Sequence, residues 1–286
     1  MAEFKDCLLA LTSYPDSTPD YIVDQAVDIS RQLGTNLSAL AFVLSRNRIA
    51  RQHSMGEWLV DVPSMIDEAI NKSSSEATRL LDHFEKTAKA SHLFQERLVE
   101  NTSIFPSADA LIGHARLHDL TFLPIGSSVP ADEMNTESVI FGSGRPTILL
   151  PAMLGQSSKA ASLDKVAIAW DFSRAAARAL ADAMPLLKKA KRVHVFTVVN
   201  EKPISVDQSA NYLDQHLRMH GVEATIENLD AGRRTIGQVI ADFVAANHVD
   251  MLVMGAFGHS RMREFILGGA TRSILSQPPV PVLLSH

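Results

Sequence analysis

Val249-Asp250-Met251-Leu252-Val253-Met254-Gly255-Ala256-Phe257-Gly258, followed after nine residues by Gly268-Gly269-Ala270-Thr271, is the stretch whose reading decides the fold. The apolar run Met251 to Met254 predicts a strand buried on both faces. It runs into two glycines three apart, and a second glycine pair opens another apolar helical segment. Glycines at a strand exit let backbone N–H groups approach a ligand closely, and a helix N-terminus beside them offers unsatisfied donors and partial positive charge. The stretch is therefore a candidate phosphate cradle. No Gly-Lys-Ser/Thr follows, so it is not a Walker loop, and the spacing is not that of GxGxxG.

Outward from this stretch, strand and helix patterns alternate along the chain. In the first half, apolar runs at Cys7–Leu11, Leu37–Leu44, Phe94–Val99, Leu120–Ile125 and Thr147–Leu150 read as strands. Helical periodicity lies between them at Pro19–Leu33, Ser64–Ala90 and Ser107–Leu117. The second half gives strands at Val166–Trp170, Val193–Val199, Val222–Leu229, Met251–Met254 and Val280–Leu284. Its helices are predicted at Ser173–Lys189, Val206–His220, Thr235–Ala246 and Gly269–Ser276. Strands alternating with helices predict parallel, doubly wound sheets.

The order repeats, and the repeat is visible in the residues. Asp6–Leu11 matches Asp164–Ala169 at an offset of 158, and Asp119-Leu120 matches Asp250-Met251 at 131. The difference of 27 is extra sequence in the first half, placed near residues 45–73. Two domains are expected, 1–151 and 164–286, joined by the small, polar linker 152–163.

Bulk composition narrows the function. A hydrophobic fraction of 46% with 21% charged residues is that of a globular protein, and 286 residues suffice for two domains. A net charge of −5 and a pI near 6.1 argue against a nucleic-acid partner. No apolar run approaches the roughly 18 residues of a membrane span. The N-terminal residues do not read as an export signal, so a cytoplasmic location is expected. The single cysteine, Cys7, excludes an intrachain disulfide and reads as a small buried hydrophobe.

The spacing Gly-x2-Gly-x9-Gly followed by a small residue, together with the repeat, resembles the universal stress protein family over essentially the whole chain. The resemblance implies a tandem member: an α/β fold of two repeated doubly wound, mostly parallel five-stranded sheets (adenine nucleotide alpha hydrolase-like), packed as an intrachain pseudo-dimer with the two final strands, Thr147–Leu150 and Val280–Leu284, near its pseudo-twofold interface. It also implies an adenine nucleotide, ATP with or without Mg, held by the second half. By that analogy Ala169, Trp170 and Asp171 border adenine or ribose and Val198 flanks the base. Gly255, Gly258, His259, Gly268, Gly269 and Ala270 receive the phosphates. Trp170 is bulky for such a place and is expected to narrow the pocket. Gly269 departs from the pattern, because nucleotide-binding members carry Ser or Thr there. Arg261 and Arg263 fall in the nine-residue loop, where a phosphate contact competes with a solvated face.

The first half lacks this pattern. Five and eight residues beyond Asp119 stand Pro124 and Ser127, where Gly255 and Gly258 follow Asp250, and at the 158 offset Ser13 answers Asp171. Proline removes a backbone donor, so the first half reads as a degenerate partner domain. The histidine pairs His114/His118 and His216/His220 are four apart but lack further ligands at a recognisable spacing, and read as solvated helix faces. No catalytic residue and no metal site is assigned. Three functions remain: a sensing or regulatory nucleotide binder, a nucleotide-free scaffold for an unknown protein partner, and, weakest, a slow ATP hydrolase. Two chains could associate further as a homodimer.

Overall fold

The structure, a computed structural model, describes residues 3–48, 62–103, 108–126, 130–152, 160–199, 206–256 and 269–286. The first half runs β1 (Asp6–Leu11), α1 (Asp20–Leu33), β2 (Asn36–Leu44), α2 (Val62–Ala90), β3 (Phe94–Thr102), α3 (Asp109–Leu117), β4 (Leu120–Ile125), α4 (Pro130–Gly142) and β5 (Thr147–Pro151). The second runs β6 (Lys165–Ala169), α5 (Arg174–Leu187), β7 (Arg192–Val199), α6 (Val206–Met219), β8 (Ala224–Asp230), α7 (Ile236–Asn247), β9 (Met251–Gly255), α8 (Gly269–Ser276) and β10 (Val282–Ser285).

All ten strands form one sheet in the order β3-β2-β1-β4-β5-β10-β9-β6-β7-β8. Each half is a parallel five-stranded sheet with the same internal order. The two join edge to edge where β10 pairs antiparallel with β5, Val282 opposite Leu149 and Leu284 opposite Thr147. Closing each half's edge on the other half leaves, among the described strands, only β3 and β8 as free edges, and their side chains are the most exposed of any of these strands. The central strands are apolar on both faces because helices cover both.

On one face α1, α2, α5 and α6 bury residues such as Ile22, Phe84, Leu180 and Leu217. On the other, α3, α4, α7 and α8 bury Leu111, Ile140, Phe243 and Ile274. Each core is continuous through both halves. The join is reinforced by polar contacts. Gln32 of α1 donates to Ala161 O at 2.6 Å and accepts from Leu163 N at 3.0 Å. Lys189 reaches across to the carbonyls of Gln32 and Leu33, at 2.9 and 2.7 Å, where α1 ends. A cation on the last carbonyls of a helix stabilises its negative end.

Strand registers correct the repeat by one residue. Cys7 lies opposite Leu120, while Val166 lies opposite Met251. With Leu120 equivalent to Met251, the partner of Cys7 is Val166, an offset of 159 and not 158. A one-residue slip exchanges the faces of a strand, and the faces agree only at 159: Leu8 and Ala167 point to one core, Leu9 and Ile168 to the other. Asp171 is therefore answered by Thr12, and Ser13 stands where Phe172 does. By the same pairings Phe42 answers Val198. The extra length of the first half lies between β2 and β3. There 58 residues separate Leu40 from its partner Leu98, against 31 between Phe196 and Glu227. Helix α2 takes part of it, with 29 residues to the 14 of α6.

Helix α4 is absent from the sequence reading. Its segment, Pro130–Gly142, carries little apolar periodicity, although Thr136, Val139 and Ile140 are buried.

Candidate functional site

Strand order reverses beside β6: the chain moves from β6 to β7 and β8 on one side and returns to β9 on the other. Ligands of doubly wound sheets bind outside the carboxyl ends at such a reversal. Here the loops after β6 and β9 flank it. Ala169, the last residue of β6, pairs with Phe196 of β7 and Met254 of β9.

Alternation then sorts the predicted site residues. Ala169, Val198 and Ala256 pack on the face of α7 and α8. Trp170 packs on the opposite face, with the core of α5 and α6. Trp170, the residue after β6, thus lies against the other core from Ala169 and Val198. Its indole lies edge-on to Phe172, with centroids 5.4 Å apart, and its buried Nε1 has no hydrogen-bond partner. Its main-chain N–H donates to Phe196 O at 2.9 Å. Ala256 is the site-face residue that sequence reasoning missed. Its signal was parity with Met254 along β9.

Asp171 shapes the turn into α5. Its Oδ1 accepts from Ser173 N at 3.0 Å, and Ser173 Oγ accepts from Ala176 N at 3.0 Å as the helix N-cap. Phe172 between them has φ 61°, a left-handed conformation uncommon for a bulky residue. The turn brings the start of α5 hard against β9. A Cβ on Gly255 would meet Ala175 C and Ala176 N at 2.4 Å. Gly255 is thus required by the close approach of α5, on the face away from Ala169 and Val198.

Gly258, His259 and Gly268 lie outside the described residues, as do Arg261 and Arg263. Gly269 and Ala270 open α8, on the same face as Ala169, Val198 and Ala256. The described part of the site thus offers a small, apolar wall beside a reversal of strand order, and a helix beginning on the same face. That wall suits a flat apolar ring system. The helix start suits an anion.

In the first half the equivalent places are filled differently. Phe42 stands for Val198 and Ile125 for Ala256. Ser13 donates to Phe42 O at 2.5 Å and lies 2.7 Å from Ser73 Oγ of α2, which in turn accepts from Leu44 N at 3.0 Å. Lys72, next to it, donates to Pro15 O at 3.1 Å. Helix α2 is pinned over the carboxyl ends of β1 and β2.

No group of three or more His, Cys, Asp or Glu converges among the described residues. Cys7 is buried, its thiol pushed up to about 12 by that burial, and is inert as a nucleophile. No described helix is long and apolar enough to cross a membrane.

Comparison with known proteins follows the same division of the chain. The sequence model of the universal stress protein family matches residues 162–286. A universal stress protein of Synechocystis sp. is 26% identical over 152 residues, which is 52% of this chain and 50% of that one. The aligned region thus spans about half the length of this curated relative. Among solved structures, a universal stress protein from Archaeoglobus fulgidus is similar with a TM-score of 0.68 at 18% identity, covering 97% of this chain and 95% of the other. A protein of unknown function from Pseudomonas aeruginosa PAO1 gives a TM-score of 0.58 at 11% identity, covering 99% and 92%. At these identities the likeness is one of fold.

Proposed function

We propose that the chain is a member of the universal stress protein family, whose sequence model matches its second half, and that this half binds an adenine nucleotide, ATP with Mg carried on its phosphates. The role is sensing or regulatory, not metabolic, and the location is the cytoplasm. Residues 164–286 form the binding domain, residues 1–151 a degenerate partner domain, and 152–163 the linker. In this reading Ala169 and Val198 flank the base, with Asp171 at the ribose. Gly258, His259, Gly268, Gly269 and Ala270 take the phosphates through the main chain. Gly255 serves by letting α5 approach.

The observation that carries the reading is the coincidence of Ala169, Val198 and Ala256 on one face beside the reversal of strand order, with α8 beginning on that face. The test is calorimetric titration of nucleotide-free protein with ATP and Mg, beside Val198→Phe, which installs the first half's own residue, and Gly258→Val. One site per chain, weakened about tenfold or more in either variant, is the expected result.

A second reading is favoured by Gly255, whose lack of a side chain is fully accounted for by Ala175 and Ala176. In that reading the glycine stretch is a packing device and the protein is a scaffold for a protein partner. Absence of heat and of thermal shift up to millimolar ATP selects it.

A further inference from the structure

The two histidine pairs, alike in spacing, differ in what surrounds them. In the first half His114 Nε2 lies 3.1 Å from Glu100 Oε1, and His118 Nδ1 donates to the His114 carbonyl at 2.8 Å. His118 Nε2 faces Asp6 Oδ2 at 3.8 Å. That pair is consumed by the fold. In the second half the rings of His216 and His220 contact each other, centroids 4.7 Å apart at 71°. Among the described residues no hydrogen bond holds either imidazole.

Met219 completes the group. It is the last residue of α6, three beyond His216 and next to His220, and 80% exposed. On a helix, positions three and four apart are surface neighbours, so His216 neighbours both Met219 and His220. The inner side of the same helix is provided for separately by Leu213 and Leu217, both buried. Met219 contributes nothing to that core.

The local field favours a cation. Helix α6 ends here, with Gly221 in the left-handed conformation at φ 77°, so the last carbonyls of the helix present their negative end. The one strong cation of the turn, Arg218, is drawn back one turn to Asp214, its Nε 2.8 Å from Oδ2. Neutral imidazole and thioether are soft, uncharged donors. Two imidazoles alone would serve zinc, nickel or copper, whereas a thioether selects for copper(I).

The geometry points to a copper(I) site formed by His216 Nδ1 or Nε2, Met219 Sδ and His220 Nδ1 or Nε2 at the carboxyl end of α6. The site is independent of the nucleotide reading and lies on the surface of the second half.

The experiment is an anaerobic competition for copper(I) between the metal-free full chain and a chromophoric copper(I) chelator. One equivalent per chain is expected, with affinity falling about tenfold or more in His216→Ala and in His220→Ala. Met219→Leu is expected to cost a similar factor for copper(I) while leaving nickel(II) affinity unchanged. Thermal unfolding checks that each variant folds. Failure to take copper from the chelator overturns the site. So does binding that survives both histidine variants, or an equal loss of copper(I) and nickel(II) in Met219→Leu.

Discussion

The carboxyl edges of the two halves share one backbone plan and differ in side-chain volume. In the second half Ala169, Val198 and Ala256 line the face beside the reversal; in the first, Ala10, Phe42 and Ile125 stand in those places. Behind them the first half adds a bonded chain, Leu44 N–H to Ser73 to Ser13 to Phe42 O, supplied by the lengthened α2. A doubly wound sheet does not by itself keep room at its switch point. Whether it does is set by a few residues at strand ends and by what the next helix lays across them.

The largest effect is expected at Gly255. A methyl group there would press on the main chain of Ala175 and Ala176, which cannot rotate away as a side chain can. Gly255→Ala should therefore cost about 3 kcal/mol in denaturant unfolding, the upper range for overpacking. Pro124→Ala, at the equivalent place in β4, should change stability by less than about 1 kcal/mol. The pairing of β1 with β4 extends only to Leu9 and Phe122, so Pro124 withholds no donor from it. Equal tolerance at both positions would mean that α5 can withdraw from β9, and the packing account of Gly255 would fail.

A smaller loss is expected from Ser73→Ala. Since Ser13 donates to Phe42 O, Ser73 must donate to Ser13 while accepting from Leu44 N–H, and Ser13, Ser73 and Leu44 are all buried. Removing one hydroxyl leaves a buried donor and a buried acceptor unpaired, about 2 kcal/mol. Hydrogen exchange at Leu44 would rise with it. A variant as stable as the parent would show that α2 is not held down at Ser73.

Much of this was legible in the sequence because the signals were local. Apolar runs bounded by glycine located nearly every strand, and helical periodicity located the long helices. The meeting of the two final strands followed from the family resemblance, which implies a pseudo-dimer joined there. The equivalence of Asp171 with Ser13 failed because matching Asp6 with Asp164 fits residue types, whereas strand equivalence is fixed by hydrogen-bonded register, and the two differ by one. The same parity hides the place of Trp170: consecutive residues of a strand read alike in a motif but face opposite layers. Helix α4 was missed because its segment carries little apolar periodicity. The close approach of α5 to β9 is a tertiary fact with no trace in the glycine's neighbours along the chain.

The smallest effect concerns the aspartates that begin the two halves. Asp164 pairs with Lys191 at 2.8 Å in solvent, a contact worth no more than about 1 kcal/mol. Asp6 has no such cation. Burial is the main cause that raises its carboxyl above the usual range, opposed by His118 and reinforced by Asp119, and Oδ1 lacks a partner. A carboxyl raised on folding binds its proton more tightly in the folded chain. Its contribution is complete below the unfolded value, near 3.9, and is lost as pH rises through the folded value. At neutral pH, then, the ionised Asp6 costs stability. With 43% of the side chain exposed, solvent screens most of that cost. Asp6→Asn should accordingly raise stability at pH 7 by a few tenths of a kcal/mol, with the gain shrinking toward pH 3, whereas Asp164→Asn should be neutral or slightly harmful at pH 7. Paired urea titrations at the two pH values read the difference. If Asp6→Asn destabilises the chain at pH 7 instead, the attraction to His118 outweighs burial, and the first half opens on a working ion pair just as the second does.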